Sequence, residues 1–227
     1  MTRLHGEWTQ RRYQPGCGVL APETREGGGF PAGTPLAPYN VMTAAVFYAT
    51  REGHTRKIAG RIAADLRAHG GDVDLFDVRS GITPDWTKYS VACLAASVHI
   101  GHHEREMIAF AKRYRDVLSQ LDAAFVSVTL SEAGAEDPAR SGAERRAAAA
   151  DVQRMIDVFI EETGWQPAHA LPVAGALAYS RYNFLVRFLM KRIARKAGAP
   201  TDTSRDYEFT DWPALDRFAD ELAEPRR

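Results

Sequence analysis

Residues 44–55 read AAVFYATREGHT, and this stretch decides the fold. Its first half is a short apolar run rich in aromatic side chains, which is typical of a strand buried on both faces. A glycine-containing turn follows, and apolar residues at helical spacing then predict a helix over 55–69. The stretch therefore predicts a strand, a tight turn and a helix, which is the opening unit of a parallel sheet covered by helices.

The same alternation continues toward the end of the chain. Further strands are predicted at 73–76, 89–96, 123–130 and 170–177, and further helices at 104–118, at 142–162 and from Trp212 onward. Asp211 is a suitable N-cap for the last helix. Strands alternating with helices predict an α/β fold with a doubly wound, five-stranded parallel sheet, whose ligands bind at the carboxyl ends of the strands. The 89–96 strand carries no charge and is predicted to be central.

Residues 178–206 interrupt this alternation. The sequence predicts a second helix at 183–196, a polar turn at 201–203, and renewed strand-like alternation at 206–210. The simplest interpretation is a helical insertion that interrupts the fifth strand.

Composition excludes several classes of protein. The 227 residues include 29 Lys+Arg and 29 Asp+Glu, and zero net charge argues against a dedicated nucleic-acid binder. Two cysteines cannot form a disulfide framework or a metal cage. No apolar run is long enough to span a bilayer, and no secretory signal pattern is present. We therefore expect a cytoplasmic protein, for which association with a membrane surface remains open.

The first 41 residues differ from the rest of the chain. Residues 1–41 are rich in glycine and proline and have neither helical nor alternating periodicity. Such a stretch has too little apolar surface to offset the entropy of ordering it. We expect a disordered leader or a misassigned start, followed by one domain over 42–224.

The turn after the first strand is the first candidate site. It consists of Thr50, Arg51, Glu52, Gly53, His54 and Thr55. It opens a helix, so its backbone N–H groups lie at the positive end of the helix dipole, and its hydroxyl groups flank a glycine, which suits a terminal phosphate. The alternative is an ordinary capped turn with Thr55 as N-cap.

Two further segments follow strands of the same sheet. They are Ser97, Val98, His99, Ile100, Gly101 and His102 after the third strand, and Val128, Thr129, Leu130 and Ser131 after the fourth. The histidines do not have metal-ligand spacing, and we expect no metal. Because carboxyl ends of parallel strands share one edge, the three segments are predicted to form one crevice for a planar ligand.

These residues resemble the flavodoxin superfamily, through Val46-Phe47-Tyr48 followed by Thr50, Gly53 and Thr55. The resemblance extends more narrowly to the menaquinone-dependent protoporphyrinogen IX dehydrogenases. The motifs that carry it are 96–102 (ASVHIGH), 173–177 (VAGAL), Tyr179, Tyr182, 201–203 (TDT) and 207–212 (YEFTDW). Glu52, His54 and His99 depart from the expected pattern, and His99 stands where this family is expected to have arginine.

The resemblance implies a long-chain flavodoxin-like fold that binds FMN non-covalently. It places the phosphate on residues 50–55 and the ring between 97–102 and 128–131. It implies an oxidoreductase of heme biosynthesis that oxidises protoporphyrinogen IX and passes the electrons to a membrane quinone. Catalysis would come from the cofactor, and no acid–base catalyst is indicated.

The insertion itself is basic and amphipathic. Its basic residues are Arg181, Arg187, Lys191, Arg192, Arg195 and Lys196, and the stretch 181–197 contains no acidic residue. A basic amphipathic helix predicts peripheral binding to the inner face of the cell membrane. The alternatives are packing against the core or a second subunit, and attraction of porphyrin propionates.

Two other functions compete with this interpretation. A flavodoxin-type electron carrier is the first, although flavodoxins are usually acidic around the flavin and this chain is neutral. An NAD(P)H-dependent quinone reductase is the second, although no nicotinamide-binding signature is present. The sequence leaves the oligomeric state open.

Overall fold

The computed structural model describes residues 42–181, 188 and 202–224. The predictions for 1–41 and, apart from Phe188, for the helix at 183–196 lie outside the described residues. So do Arg187, Lys191, Arg192, Arg195 and Lys196; the backbone of Arg181 is described but its side chain is not.

The described residues form alternating strands and helices. The strands are β1 (Thr43–Ala49), β2 (Asp72–Asp77), β3 (Val91–His99), β4 (His102–His103), β5 (Asp122–Thr129), β6 (His169–Ala174), β7 (Ala176–Leu177) and β8 (Tyr207–Glu208). The helices are α1 (His54–Ala68), α2 (Arg105–Leu118), α3 (Leu130–Glu136), α4 (Gly142–Thr163) and α5 (Trp212–Ala223). Within the described ranges, no helix has an apolar stretch long enough to cross a membrane.

The main sheet has the predicted doubly wound topology. Its parallel strands lie in the order β2-β1-β3-β5-β6, and β4 adds a short antiparallel pairing to β3. The uncharged third strand is central, as predicted. The order reverses between β1 and β3, and in such sheets the ligand crevice lies outside the carboxyl ends of the strands at this point.

Both faces of the sheet are covered. Along β1, Val46 and Tyr48 contribute to one core, and Phe47 contributes to the other, since successive side chains in a strand point to opposite faces. The first core contains residues of α1 and α5, and the second contains residues of α2 and α4. Cys93 is buried in the first core, as its position in mid-strand predicts.

The chain leaves the main sheet after β6 and later returns beside the end of that strand. β6 ends at Ala174, and β7 then pairs antiparallel with β8 in a separate two-stranded sheet. The backbone N–H and hydroxyl of Ser180 donate to the carboxylate of Asp206 at 2.8 and 2.6 Å. The segment after the insertion therefore returns alongside the end of the fifth strand. The pairing is antiparallel because the chain runs outward along β7 and back along β8.

The start of α5 and the segment 128–131 each test a local prediction. Asp211 caps α5, since its carboxylate accepts from the backbone N–H of Ala214 at 3.0 Å, as predicted. The predicted loop at 128–131 is wrong, because Val128 and Thr129 end β5 and the next two residues begin α3. α3 is seven residues long and contains Gly134, so it has too few turns to produce a helical period.

Candidate functional site

A cleft lies at the carboxyl ends of β1, β3, β5 and β6. It is lined by Thr50, Glu52, His54, Thr55, Ser97, Val98, His99, Val128, Thr129, Leu130, Gly175, Ala176 and Ala178. The structure therefore brings residues of all three predicted segments to one place. It adds a fourth segment, residues 175–178, which the sequence analysis did not assign to the site.

The turn between β1 and α1 presents an uncapped helix end. The N-cap is Gly53, at φ 92°, a conformation that favours glycine. The alternative with Thr55 as N-cap is wrong, because Thr55 lies inside the first turn and is buried. No side chain caps the first turn of α1, and no acidic residue lies within it. The positive end of this helix therefore remains available to an anion at the cleft.

Other contacts hold this turn in shape. The backbone N–H of Gly53 donates to Oγ1 of Thr50 at 3.0 Å, and the guanidinium of Arg79 donates to the carbonyl oxygen of Thr50 at 2.6 Å. Arg51 instead reaches the carboxylate of Glu104, with its Nε 3.1 Å away. The guanidinium of Arg51 therefore pairs with a carboxylate buried behind the cleft wall, and Arg51 itself does not line the cleft.

His54 connects the turn to the segment that follows the insertion. Its ring contacts Thr210, and its Nδ1 lies 4.0 Å from a carboxylate oxygen of Glu208. Burial lowers the pKa of His54 and outweighs the opposite effect of Glu208. Glu208 also accepts from Nζ of Lys57 at 2.7 Å and from Nε1 of Trp212 at 2.8 Å. The segment that follows the insertion therefore contacts both α1 and α5.

The hairpin between β3 and β4 forms another wall of the cleft. Its tip has left-handed backbone at Ile100 (φ 51°) and Gly101 (φ 80°), and a β-branched residue adopts that conformation at an energetic cost. The Ile100 side chain is 86% exposed, and His102 pairs with Glu162 at 3.6 Å. Ile100, Gly101 and His102 do not line the cleft, whereas His99 does.

A buried carboxylate underlies this hairpin. The side chain of Glu104 is 3% exposed and contacts Nε2 of His99 at 3.0 Å and Nε of Arg51 at 3.1 Å. Burial alone would raise the pKa of the Glu104 carboxyl, but the hydrogen bond and charge of His99, together with Arg51, lower it overall. Sequence analysis missed Glu104, because nothing in the sequence pairs it with a residue 53 positions away.

His103, the third histidine of the hairpin region, is part of the packed core. His103 is buried against Phe125 and Phe159, and its Nε2 lies 2.9 Å from Oγ of Ser127. Burial lowers the pKa of His103 to about 4, so the ring is neutral near pH 7. His99, His102 and His103 therefore have different partners, and within the described ranges no group of three ligating side chains could hold a metal ion.

The donor set and the walls fit the FMN that the sequence resemblance implies. The uncapped end of α1 and the hydroxyls of Thr50 and Thr55 suit a phosphate monoester. The walls beyond it include Val98, Leu130 and Ala176, which suit a planar and largely apolar ring. Among the predicted site residues, those that do not line the cleft are Arg51, Gly53, Ile100, Gly101, His102 and Ser131.

Residues 175–178, the fourth segment of the cleft, were missed because the fifth strand was predicted to run to residue 177. β6 stops at Ala174, so residues 175–178 lie just beyond a strand end, where ligands of such sheets bind. A Cβ at Gly175 would lie 3.5 Å from Cγ1 of Val128, so this segment packs directly against the end of β5.

The order of the strands and the position of the cleft define a flavodoxin-type α/β protein. A family model described as a flavodoxin domain matches residues 45–204, a range that includes every residue lining the cleft. The chain is 31% identical over 182 residues to "Protoporphyrinogen IX dehydrogenase [quinone]" of Escherichia coli (strain K12), covering 80% of this chain and 95% of that protein. The chain belongs to the flavodoxin domain family and, within it, to the family of these dehydrogenases.

Two further similarities are found. A protein of the same name from Leishmania major is 32% identical over 179 residues, covering 78% of this chain and 73% of that protein. The solved structure of oxidised flavodoxin 1 from Bacillus cereus is 16% identical, with a TM-score of 0.45, covering 82% of this chain and 99% of that chain. The assignment rests on the family model and the sequence relatives, and it confirms the resemblance identified in the sequence.

Proposed function

We propose that this protein is an FMN-dependent protoporphyrinogen IX dehydrogenase of heme biosynthesis that passes electrons to a quinone. The observation that carries the proposal is the 31% identity extending over 95% of the Escherichia coli enzyme of that name. The cleft supports it independently, because its uncapped helix end and apolar walls fit a phosphorylated planar cofactor.

Each part of the cleft has a role in this proposal. The first turn of α1, with Thr50 and Thr55, binds the phosphate. Residues 97–99, 128–130 and 175–178 orient the ring and exclude water from one side of it. Bound FMN would supply the chemistry of accepting an electron pair from the porphyrinogen and returning it to the quinone. In each round the substrate loses two electrons and two protons, and the quinone gains both.

The proposal is tested with purified protein under anaerobic conditions. We expect bound flavin that protoporphyrinogen IX reduces and a menaquinone analogue reoxidises. Rapid reduction by NADPH, with none by the porphyrinogen, would favour the quinone reductase instead. Reduction by neither would favour the electron carrier. A colourless protein that takes up no added FMN would exclude all three functions.

We further propose that the basic residues of the insertion hold the protein at the cytoplasmic face of the membrane, where a quinone acceptor resides. The stretch 181–197 has no acidic residue, and each basic side chain near an anionic leaflet contributes about 1 kcal/mol. The contact between Ser180 and Asp206 supports this proposal, because both ends of the segment start from the region beside the cleft.

Vesicle binding tests the membrane proposal. A variant that combines Lys191→Glu, Arg192→Glu, Arg195→Glu and Lys196→Glu should lose co-sedimentation with vesicles that contain anionic lipid. Glutamate at Arg145 and Arg146, which are exposed on α4, is the matched control and should leave co-sedimentation unchanged. High salt should weaken binding of the unmodified protein. Equal co-sedimentation of the two variants would overturn the membrane role.

A further inference from the structure

The β3–β4 hairpin places a carboxylate–imidazole pair in the wall of the cleft. Nε2 of His99 lies 3.0 Å from Oε1 of Glu104, and the same nitrogen lies 3.3 Å from Oγ of Ser97. The His99 side chain is 23% exposed and lines the cleft, whereas Glu104 is buried behind it. The imidazole is therefore reachable from the cleft while its carboxylate partner is shielded from solvent.

The backbone of the hairpin fixes this geometry. The N–H of Glu104 donates to the carbonyl oxygen of Ser97 at 3.1 Å, and His99 pairs with His102 across the two strands. The hydroxyl of Ser97 donates to Oε1 of Glu104 at 3.3 Å. The imidazole ends β3 and the carboxylate comes one residue after β4, so the hairpin sets their relative position without a distant loop.

The charges around the pair favour an ionised Glu104. Arg51 contacts this carboxylate from the turn after β1, and its charge contributes to the lowered pKa of Glu104. Glu52 comes from the same turn, and one of its carboxylate oxygens lies 3.6 Å from Nε2 of His99. The charged groups facing His99 are thus two carboxylates, with one guanidinium behind the first of them.

The ionised carboxylate determines which nitrogen of His99 carries hydrogen. A carboxylate can only accept a hydrogen bond, so Nε2 must be the donor. In the neutral imidazole, Nδ1 then keeps its lone pair. A proton that arrives at Nδ1 produces an imidazolium that the carboxylates stabilise, which is the relationship between aspartate and histidine in hydrolytic triads.

We propose that His99 is the proton acceptor of the oxidation and that Glu104 is its positioning residue. This inference rests on the proposed function. In the first round a bridging C–H bond of the porphyrinogen breaks as a hydride, which bound FMN would accept, and a pyrrole N–H bond breaks so that its electrons remain on nitrogen. The proton released from nitrogen binds to Nδ1 of His99 and then passes to water through the exposed part of the ring.

The first test measures how fast porphyrinogen reduces the bound flavin, in stopped flow at a series of pH values. In the unmodified protein the rate should rise with pH, because a general base accepts a proton only in its unprotonated form. His99→Gln should slow reduction by about 100-fold or more and abolish that rise, because a positioned general base contributes about that much. Urea unfolding of the protein without FMN should be little changed, since glutamine keeps a donor toward Glu104.

Three further measurements separate proton transfer from structural support. Free imidazole should restore part of the rate of His99→Ala. Glu104→Gln should slow the reduction and, in the protein without FMN, lower the fraction of His99 that carries hydrogen on Nε2, because an amide can donate as well as accept. In the protein without FMN, nitrogen NMR should show hydrogen on Nε2 of neutral His99. His69→Gln is the matched control, since His69 is exposed and pairs with Asp220 far from the cleft.

Each outcome decides the question. An unchanged rate and pH profile in His99→Gln would overturn the role of His99 while leaving the proposed function intact. A neutral His99 with hydrogen on Nδ1 would overturn it as well, even if His99→Gln failed to fold. Flavin in the unmodified protein that porphyrinogen does not reduce would refute the proposed function and this inference together.

Discussion

The hydroxyl oxygen of Thr210 lies 2.7 Å from Nε2 of His54, although 156 positions separate the two residues. The same hydroxyl donates to the carbonyl oxygen of Ala174 at 2.7 Å. A hydroxyl has a single hydrogen, so Nε2 of His54 must supply the hydrogen of the bond between the two side chains. Thr210 therefore joins the first turn of α1 to the end of β6, on two sides of the cleft.

Removing this hydroxyl should weaken both the fold and the cleft. Thr210→Val leaves Nε2 of His54 and the Ala174 carbonyl without a partner, which should cost about 1–3 kcal/mol in the free energy of unfolding. FMN binding should weaken in parallel, because His54 lies in the turn proposed to bind the phosphate. Urea unfolding and fluorescence titration measure the two effects. Thr210→Ser keeps the hydroxyl and should resemble the unmodified protein; equal losses in both variants would contradict this account.

Two glycines of the same region should respond in opposite directions to alanine. Gly53 has φ 92°, where an alanine is strained, so Gly53→Ala should destabilise the protein by about 1–2 kcal/mol and weaken FMN binding. Gly60 lies within α1, and a Cβ there would meet nothing within 4 Å. Gly60→Ala should therefore stabilise the protein by about 0.5–1 kcal/mol. Thermal unfolding with and without FMN measures both, and destabilisation by Gly60→Ala would show that the helix is not as described.

His103 should make stability depend on pH. The unfolded chain binds a proton at this residue below about pH 6.5, whereas the folded protein does so only near the lowered pKa of about 4. The unfolded state therefore binds more protons in this window, and about 3 kcal/mol of stability should be lost as pH falls through it. His103→Gln keeps a partner for Ser127 and should flatten this dependence in urea unfolding. His69→Gln should not, and an equal slope in all three proteins would refute the assignment.

Glu132 should make stability fall as pH rises, which is opposite to the effect of His103. Its side chain is buried, and burial, with a smaller effect of Glu136, raises the pKa of its carboxyl to about 7. The folded state therefore binds more protons than the unfolded state between about pH 4.5 and 7, so this contribution to stability falls as pH rises.

The corresponding variant is Glu132→Gln, which cannot ionise. It should be more stable than the unmodified protein by about 1–3 kcal/mol near pH 8, and the difference should nearly vanish near pH 5. Chemical unfolding at the two pH values measures this. Glu106→Gln, on the exposed side of α2, is the control and should show no such difference. A larger gain in stability from Glu132→Gln near pH 5 than near pH 8 would contradict the sign.

Much of the fold follows from local pattern. The runs at 44–49 in β1 and 91–96 in β3 are apolar throughout because both faces of the sheet are covered, so they could be assigned without tertiary information. α3 and the β7–β8 pair could not be assigned in this way. A seven-residue helix has fewer than two turns and a two-residue strand has a single alternation, so neither shows a clear period. The pairing partner of β8 also depends on where the chain returns.

The site was predictable where topology alone determines it. The segments after β1, β3 and β5 were assigned because parallel strands end at a common edge. Residues 175–178 were missed because the end of β6 was placed too late. The contacts of Glu104 with Arg51 and of His54 with Thr210 join distant positions, and no single sequence reveals such pairs.

The β7–β8 pair and the bond between Ser180 and Asp206 fasten both ends of the intervening segment at a single point. A segment held at both ends in this way can be replaced by another without altering the strand order that supports the cofactor cleft. Evolution could therefore graft different binding elements onto this position while the redox scaffold stayed the same, and a protein engineer could insert a reporter or a foreign membrane anchor there.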